Sequence, residues 1–294
     1  MKKIFFTILL APVFLLFFAL QASASDLLIS NPEQVISIDP NGAGHFTLFV
    51  QNNTKENLIL ETKIKSFKTV GDKGNIELFD DSDNILINSW LKQQTNYSFK
   101  LRPGQKHEAV FLMSVSSSAK NKGYYASIYF AGYQQNDITK KIESNKSRIL
   151  LGVESENNNL LLRSGKIEEL FSPKFVFYGP VKFRLQFANN GKIHYQTNGQ
   201  IEIYNSFDKK IASIQLKEKN ILPDSLLSFY GILERKFLFG KYLVVAKMFD
   251  GDGNLTMESK EFFAFPWKEF LEFFVIVGLI IIAKKLKVKK IKFE

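Results

Sequence analysis

Alternation of apolar and polar positions with a period of two runs through most of this chain. In HFTLFVQNN, residues 45–53, Phe46, Leu48 and Val50 fall on one face and Thr47, Phe49 and Gln51 on the other. In VKFRLQFANNG, residues 181–191, Phe183, Leu185 and Phe187 alternate with Arg184, Gln186 and Ala188. Successive side chains of a strand point to opposite faces, so this period predicts half-buried strands. Aromatic and β-branched residues are plentiful, Gly, Asn and Asp punctuate at short intervals, and no long 3.6-period segment interrupts the body. The pattern predicts an all-β body of many short strands, a sandwich in preference to a barrel.

The pattern also repeats in order. FTLFVQNN at 46–53 matches FRLQFANN at 183–190, LRPGQ at 101–105 matches ILPDS at 221–225, and KGYYASIYF at 122–130 matches FGKYLVVAKMF at 239–249. Length and repeat together predict two tandem sandwiches, residues 26–154 and 160–266, divided at the polar run ESENNN, 154–159. Pro103-Gly104 suits a tight turn, because Pro fixes φ and Gly accepts positive φ. Asn52-Asn53 and Asn189-Asn190 can close their own backbone at a strand end. Tyr125 and Tyr242 stand two residues after a Gly in late strands, where a buried ring can tie down a loop through its hydroxyl. Trp90 reads as a core plug, with an exposed ligand contact as the alternative.

The two ends depart from this pattern. Lys2 and Lys3, an uncharged apolar run from Ile4 to Leu20 and the small-residue site Ala22-Ser23-Ala24 have the order of a secretory signal peptide over 1–24, cleaved between Ala24 and Ser25. An uncleaved signal anchor is the alternative. At the far end, Trp267 to Ala283 is an apolar stretch at the short limit for a spanning helix, followed by a lysine-rich tail, 284–294. Its Phe, Leu, Ile and Val residues favour insertion by roughly 3 to 7 kcal/mol, against about 3 kcal/mol for Glu272. The expectation is a single transmembrane helix over 267–283, with the body outside the cytoplasm and the basic tail inside. An amphipathic helix lying on a membrane is the competing reading.

Charge and cysteine content narrow the functions. The formal net charge is +10, but Lys2, Lys3 and the lysine-rich end carry six of those charges. The body is mildly and diffusely basic, which gives no reason to expect nucleic acid as a partner. There is no cysteine, which excludes thiolate metal centres and cysteine nucleophiles and leaves stability to core burial.

One stretch invites a metal reading. In FDGDGNLTMESKE, Asp250, Asp252 and Asn254 occupy positions 1, 3 and 5 of a calcium loop and Glu261 position 12. Position 6 holds Leu255 where that loop needs Gly, and the flanks read as strands instead of helices. An extended strand would carry Glu261 about 20 Å from the turn. The segment therefore reads as a hairpin turn. The acidic run FDDSDN, 79–84, reads as a solvated loop first and a weak cation site second. His45, His107 and His194 are scattered, and no nucleophile elbow, zinc-protease motif or phosphate-cradling loop occurs. No catalytic residue and no cofactor is expected, and the chain does not read as an enzyme.

The segment from Ile29 to Phe130 resembles the N-terminal domain of the WxL-interacting proteins of bacterial cell surfaces. The likeness rests on an opening strand ending at Pro40 and Gly42, FVQNNTKENLILETKI, Trp90, FKLRPGQ and GYYASIYF. From Pro180 onward, VKFRLQFANNGKIHYQTNGQIEIY, ILPDS, FGKYLVVAKMFDGDG and FFAFPW are similar to that family's second domain. The resemblance implies two immunoglobulin-like domains, the first binding cell-wall peptidoglycan and the second engaging a surface protein or host ligand. The turn DPNGAG, where a compact Pro-Gly is expected, and the Lys- and Asn-rich loops depart from the pattern and bear on ligand identity. The first half is also similar to the pilus-chaperone type of sandwich. A structural spacer or adhesion stalk and a membrane-tethered, chaperone-like assembly factor stand as alternatives.

Overall fold

The computed structural model describes residues 26–79, 85–155 and 163–291. The signal segment with Ala24 and Ser25, residues 80–84 of the acidic run, and most of the polar run after Glu154 lie outside these residues, as do the last three residues of the tail. The first half contains β1 (Leu27–Ile29), β2 (Glu33–Ile38), β3 (Ala43–Asn52), β4 (Leu58–Val70), β5 (Asn75–Phe79), helix α1 (Ile85–Trp90), β6 (Leu91–Gln93), β7 (Ser98–Leu101), β8 (Lys106–Ser114), β9 (Lys122–Gln134), β10 (Asp137–Glu143) and β11 (Ser147–Val153). The second contains β12 (Gly165–Phe171), β13 (Phe175–Val176), β14 (Val181–Asn189), β15 (Tyr195–Gln196), β16 (Asn198–Asn205), β17 (Lys210–Gln215), β18 (Asn220–Ile221), β19 (Leu226–Leu233), β20 (Gly240–Phe249), β21 (Leu255–Ala264) and helix α2 (Trp267–Ile291). The chain is mostly β, as its period predicts.

Both halves are sandwiches built on one plan. In the first, one sheet runs β1-β3-β8-β6 and the facing sheet β2-β11-β9-β4-β5, with β10 on β9 and β7 on β4. In the second, β12-β14-β19 faces β13-β21-β20-β16-β17. In each, the opening stretch of chain contributes to both sheets. β1 and β12 pair antiparallel with β3 and β14, whereas β2 and β13 run parallel to the last strands, β11 and β21. This is the immunoglobulin-like arrangement. The repeated segments take equivalent places. FTLFVQNN and FRLQFANN fall on β3 and β14, the Pro turns precede β8 and β19, and the Gly-Tyr segments fall on β9 and β20.

The alternating apolar residues fill two cores. Leu48, Val50, Leu58, Leu60, Phe111, Ile128 and Phe130 are fully buried in the first, where Phe46 stacks on Phe111 at 5.2 Å. Phe183, Leu185, Phe187, Phe229, Val244 and Phe262 fill the second. Each such side chain contributes roughly 1.5–3 kcal/mol by leaving water. Trp90 is buried at the end of α1, edge-on to Tyr124 with ring centres 4.9 Å apart.

Each late strand is pinned by a tyrosine hydroxyl. The Phe239 amide donates to Tyr242 Oη at 3.1 Å, and that hydroxyl donates to the Phe239 carbonyl at 3.2 Å. In the first sandwich the same loop is closed by Tyr124, whose hydroxyl meets the Lys120 amide at 3.2 Å and carbonyl at 3.3 Å. Tyr125, one residue on, points to the opposite face.

The expected transmembrane helix is not borne out. Among the described residues no helix is long and apolar enough to cross a membrane, which overturns the single-pass placement with its outer body and cytoplasmic tail. Lys268, Glu269 and Glu272 occupy the start of α2, and Lys284 follows Ala283. The uncharged stretch is therefore only Phe273–Ala283, about 16 Å of helix against a hydrocarbon core of about 30 Å. The start of the helix is also tied to the second sandwich. Tyr178 Oη donates to Glu269 Oε2 at 2.6 Å and accepts from the Lys268 amide at 3.1 Å.

Candidate functional site

The two sandwiches meet along a continuous contact. The β4–β5 hairpin reaches from the first onto the second. At its tip, Asp72 Oδ2 accepts the Ser228 hydroxyl at 2.6 Å, and the Asp72 carbonyl accepts the Ser228 amide at 2.7 Å. The Ser228 hydrogen bond holds the Asp72 carboxyl below the usual carboxylate range. Behind the tip, Phe67 and Leu150 of the first sandwich bury against Leu222 of the second, with Tyr125 packed beside them. The Gly123 amide donates across the contact to the Lys192 carbonyl at 2.8 Å.

His194 sits at the centre of this contact. It is 5 % exposed, its Nδ1 lies 3.3 Å from Tyr125 Oη, and the two rings meet edge-on with centres 5.6 Å apart. A methyl group at Gly152 would come within 3.8 Å of the imidazole, so β11 presents its barest backbone there. Burial pushes the imidazole down to about 4, with the positive charge of Arg163 adding to the effect. Burial also raises the Tyr125 hydroxyl above its ordinary range. Arg163 pairs with Glu154, and Glu33 of β2 accepts from Asn220 across the contact while pairing with Arg148 at 2.6 Å.

Beside His194 the contact opens into a cavity of about 440 Å³, bounded by Val35, Ile36 and Ser37 on one side and by His194, Gln196 and Asn220 on the other. Its first wall is β2, the last strand of its sheet. Backbone groups along a strand point alternately to its two neighbours. The Pro32 carbonyl accepts the Arg148 amide of β11 at 2.8 Å, so the even-numbered residues of β2 face β11. The amides and carbonyls of Val35 and Ser37 consequently face away from β11, along the open edge of the sheet. Both residues are exposed, Val35 by 59 %.

The calcium-loop candidates fall elsewhere. Asp250 caps its own turn. Its Oδ1 accepts the amides of Asp252 at 3.1 Å and Asn254 at 2.8 Å, and its Oδ2 accepts the Asn254 side-chain amide at 3.1 Å. Asp252 accepts the Arg163 amide at 3.2 Å. Glu261 lies along β21, where its carboxylate pairs with Lys241 at 2.9 Å. Among the described residues no group of three or more metal-ligating side chains converges. His107 stacks on Phe99 with ring centres 3.7 Å apart, and its imidazole is lowered by burial. Of the three histidines, His194 alone joins the two halves. The free edge carries only a local signal in the sequence, a short strand with Val35 between Gln34 and Ile36.

No family model matches the chain, and no curated protein matches it. Similar solved structures include the class 5 fimbriae chaperone CfaA, 13 % identical over 80 % of this chain and 98 % of that one, with a TM-score of 0.42. Others are the CsuC–CsuE chaperone–tip adhesion subunit complex of Acinetobacter baumannii (12 %, 72 % and 90 %, TM-score 0.36) and the Pseudomonas aeruginosa CupB2 chaperone (8 %, 78 % and 97 %, TM-score 0.36). At such identities and scores the likeness bears on neither partner nor mechanism.

Proposed function

We propose that this chain is a non-catalytic binding protein that takes an extended segment of a surface protein along the outer edge of β2. The observation that carries this reading is the row of outward-facing backbone groups at Val35 and Ser37 on the open edge of β2, a strand that also walls the cavity shared with the second sandwich. An unpaired strand edge is a template for another strand. Added strands bind through main-chain hydrogen bonds and are selected through the side chains that reach neighbouring pockets. The first sandwich would supply the edge and the second the selecting wall. A surface-protein partner agrees with what the resemblance to WxL-interacting proteins implies, and membership of that family is part of this proposal.

The test is a displayed library of random twelve-residue peptides selected on the immobilised full chain, with the winners measured against Val35→Pro. Proline removes the outward amide of Val35 and leaves the bonds to β11, as it does at natural sheet edges. Binding should fall at least tenfold. Peptides that bind Val35→Pro as well as the parent would refute the edge. Sedimentation with purified cell wall supplies the contrast, since retention indifferent to Val35→Pro would assign wall polymer as the ligand.

A further inference from the structure

The contact between the sandwiches is built around an imidazole with no counter-ion. From β9 it faces the Tyr125 hydroxyl, and from β11 the bare backbone at Gly152. From the segment entering β12 the charge that reaches it is the Arg163 guanidinium, itself held by Glu154. Tyr195 follows it in the chain, and the charges of Asp250 and Asp252 in the turn before β21 reach that tyrosine, Asp252 accepting the Arg163 amide. Across the adjoining cavity, Glu33 is engaged by Arg148 and Asn220. No described carboxylate is hydrogen-bonded to the ring. A proton taken up in the closed contact would place a cation in an apolar setting beside another cation. With the sandwiches apart, the same proton would go to a solvated imidazole.

We propose that the contact between the two sandwiches is an acid-sensitive hinge, closed at neutral pH and released when His194 is protonated. Among the described residues the other ties flank it: Asp72 with Ser228 and Gln186, Gly123 with Lys192, Glu33 with Asn220, and the small cluster of Phe67, Leu150 and Leu222. Each sandwich keeps its own core when they separate. The hinge concerns the contact itself and does not depend on what binds at β2.

The direction follows from linkage. Above about pH 6.5 the ring is neutral in both forms and the contact is indifferent to pH. Between there and about pH 4 the open form binds a proton that the closed form does not, so each step down favours opening. Below that both forms are charged and the effect saturates. The opening constant should rise by up to about 300-fold across this window.

The absence of cysteine allows a dye pair to be placed at Lys55→Cys and Lys209→Cys in the full chain. Energy transfer between them should change reversibly between pH 7.5 and 4.5. The change should be absent in His194→Gln, which keeps an uncharged polar group opposite Tyr125. Transfer that is flat with pH in the parent, or that changes with the same midpoint in His194→Gln, overturns the hinge. Should His194→Gln fail to fold, the imidazole proton resonance of His194 in the parent decides. A titration midpoint between about 4 and 6 that coincides with the change in transfer supports the hinge. A midpoint that does not coincide with it overturns the hinge.

Discussion

Asn189 makes in the second sandwich the connections that Asn52 makes in the first. The Asn52 side-chain amide donates to the Glu56 carbonyl at 2.8 Å and the Leu101 carbonyl at 3.0 Å, and its Oδ1 accepts the Thr54 amide. The Asn189 side-chain amide donates to the Ile193 and Ile221 carbonyls, both at 3.0 Å, and its Oδ1 accepts the Gly191 amide. In each case one buried side chain closes the turn after its strand and ties that turn to the chain entering the proline loop. Both residues are essentially inaccessible to solvent.

Asn52→Ala and Asn189→Ala should each cost about 2–4 kcal/mol, because two buried carbonyls and an amide lose their partner at once. Asn189→Asp should cost more than Asn189→Ala, since a carboxylate would face two carbonyl oxygens. Urea unfolding followed by fluorescence checks both statements. A loss below 1 kcal/mol at either site would show that water takes over the hub.

The two proline loops place different residues at the left-handed site after the proline. Gly104 has φ +72°, and Asp224 occupies the equivalent left-handed site at φ +54°. Their amides donate to the carbonyls of Asn52 and Asn189, respectively. A side chain in that region carries a steric cost that Gly lacks. Asp224→Gly should stabilise by about 0.5 kcal/mol and Gly104→Ala should destabilise by about 1 kcal/mol, as read from thermal midpoints.

The Asp250 turn should be indifferent to calcium. Both carboxylate oxygens are already used by the turn's own amides, so Asp250→Ala should cost about 1–2 kcal/mol with or without millimolar calcium. A bound ion at saturation would instead raise the melting point by several degrees. Calorimetric scans of parent and variant, each with calcium and with chelator, separate the two.

Glu202 gives the second sandwich an acid limit of its own. It is buried on the outer side of β16 and receives Lys247 at 2.7 Å, the Tyr204 hydroxyl at 2.7 Å and Lys210 at 3.0 Å. These hydrogen bonds, Lys247 first, hold its carboxyl down to about 2. The folded value lies below the unfolded one, so the stabilisation is complete above about pH 4.5 and is lost as pH falls toward 2. Glu202→Gln should flatten the pH dependence of the second sandwich's melting point in that range and leave the window between pH 6.5 and 4.5 unchanged.

Much of this architecture is legible in the sequence because it is local. Period-two alternation marks β3, β14 and β20, and the repeated Asn-Asn, proline and Gly-Tyr segments fall on matching positions of two like sandwiches. Alternation fixes which residues share a face, however, and not which face is buried. In KGYYASIYF the two adjacent tyrosines take opposite sides. The loop-closing part belongs to Tyr124, and the more visible Gly-x-Tyr spacing points to Tyr125, which serves the contact with His194. The free edge at β2 is equally hidden, because it depends on a parallel partner more than a hundred residues away. At α2, apolar content outweighs the charges when it is summed over the segment, whereas a barrier is crossed only by an uninterrupted length.

The opening of each sandwich against its final strand also decides how the chain would bear tension. β2 and β11 lie side by side and point the same way, so a pull on the two ends of the first sandwich slides one strand along the other. Six registered residue pairs are loaded together, Arg148 with Glu33 through Val153 with Ile38. In the second sandwich the corresponding strands share two, Phe175 with Phe263 and Val176 with Ala264. Stretched between its ends in a force spectrometer, the chain should give way first in the second sandwich and at a higher force in the first; the reverse order would show that some other seam carries the load. The strand whose outer edge is open to a partner is thus also the clasp that would hold the first sandwich shut under strain.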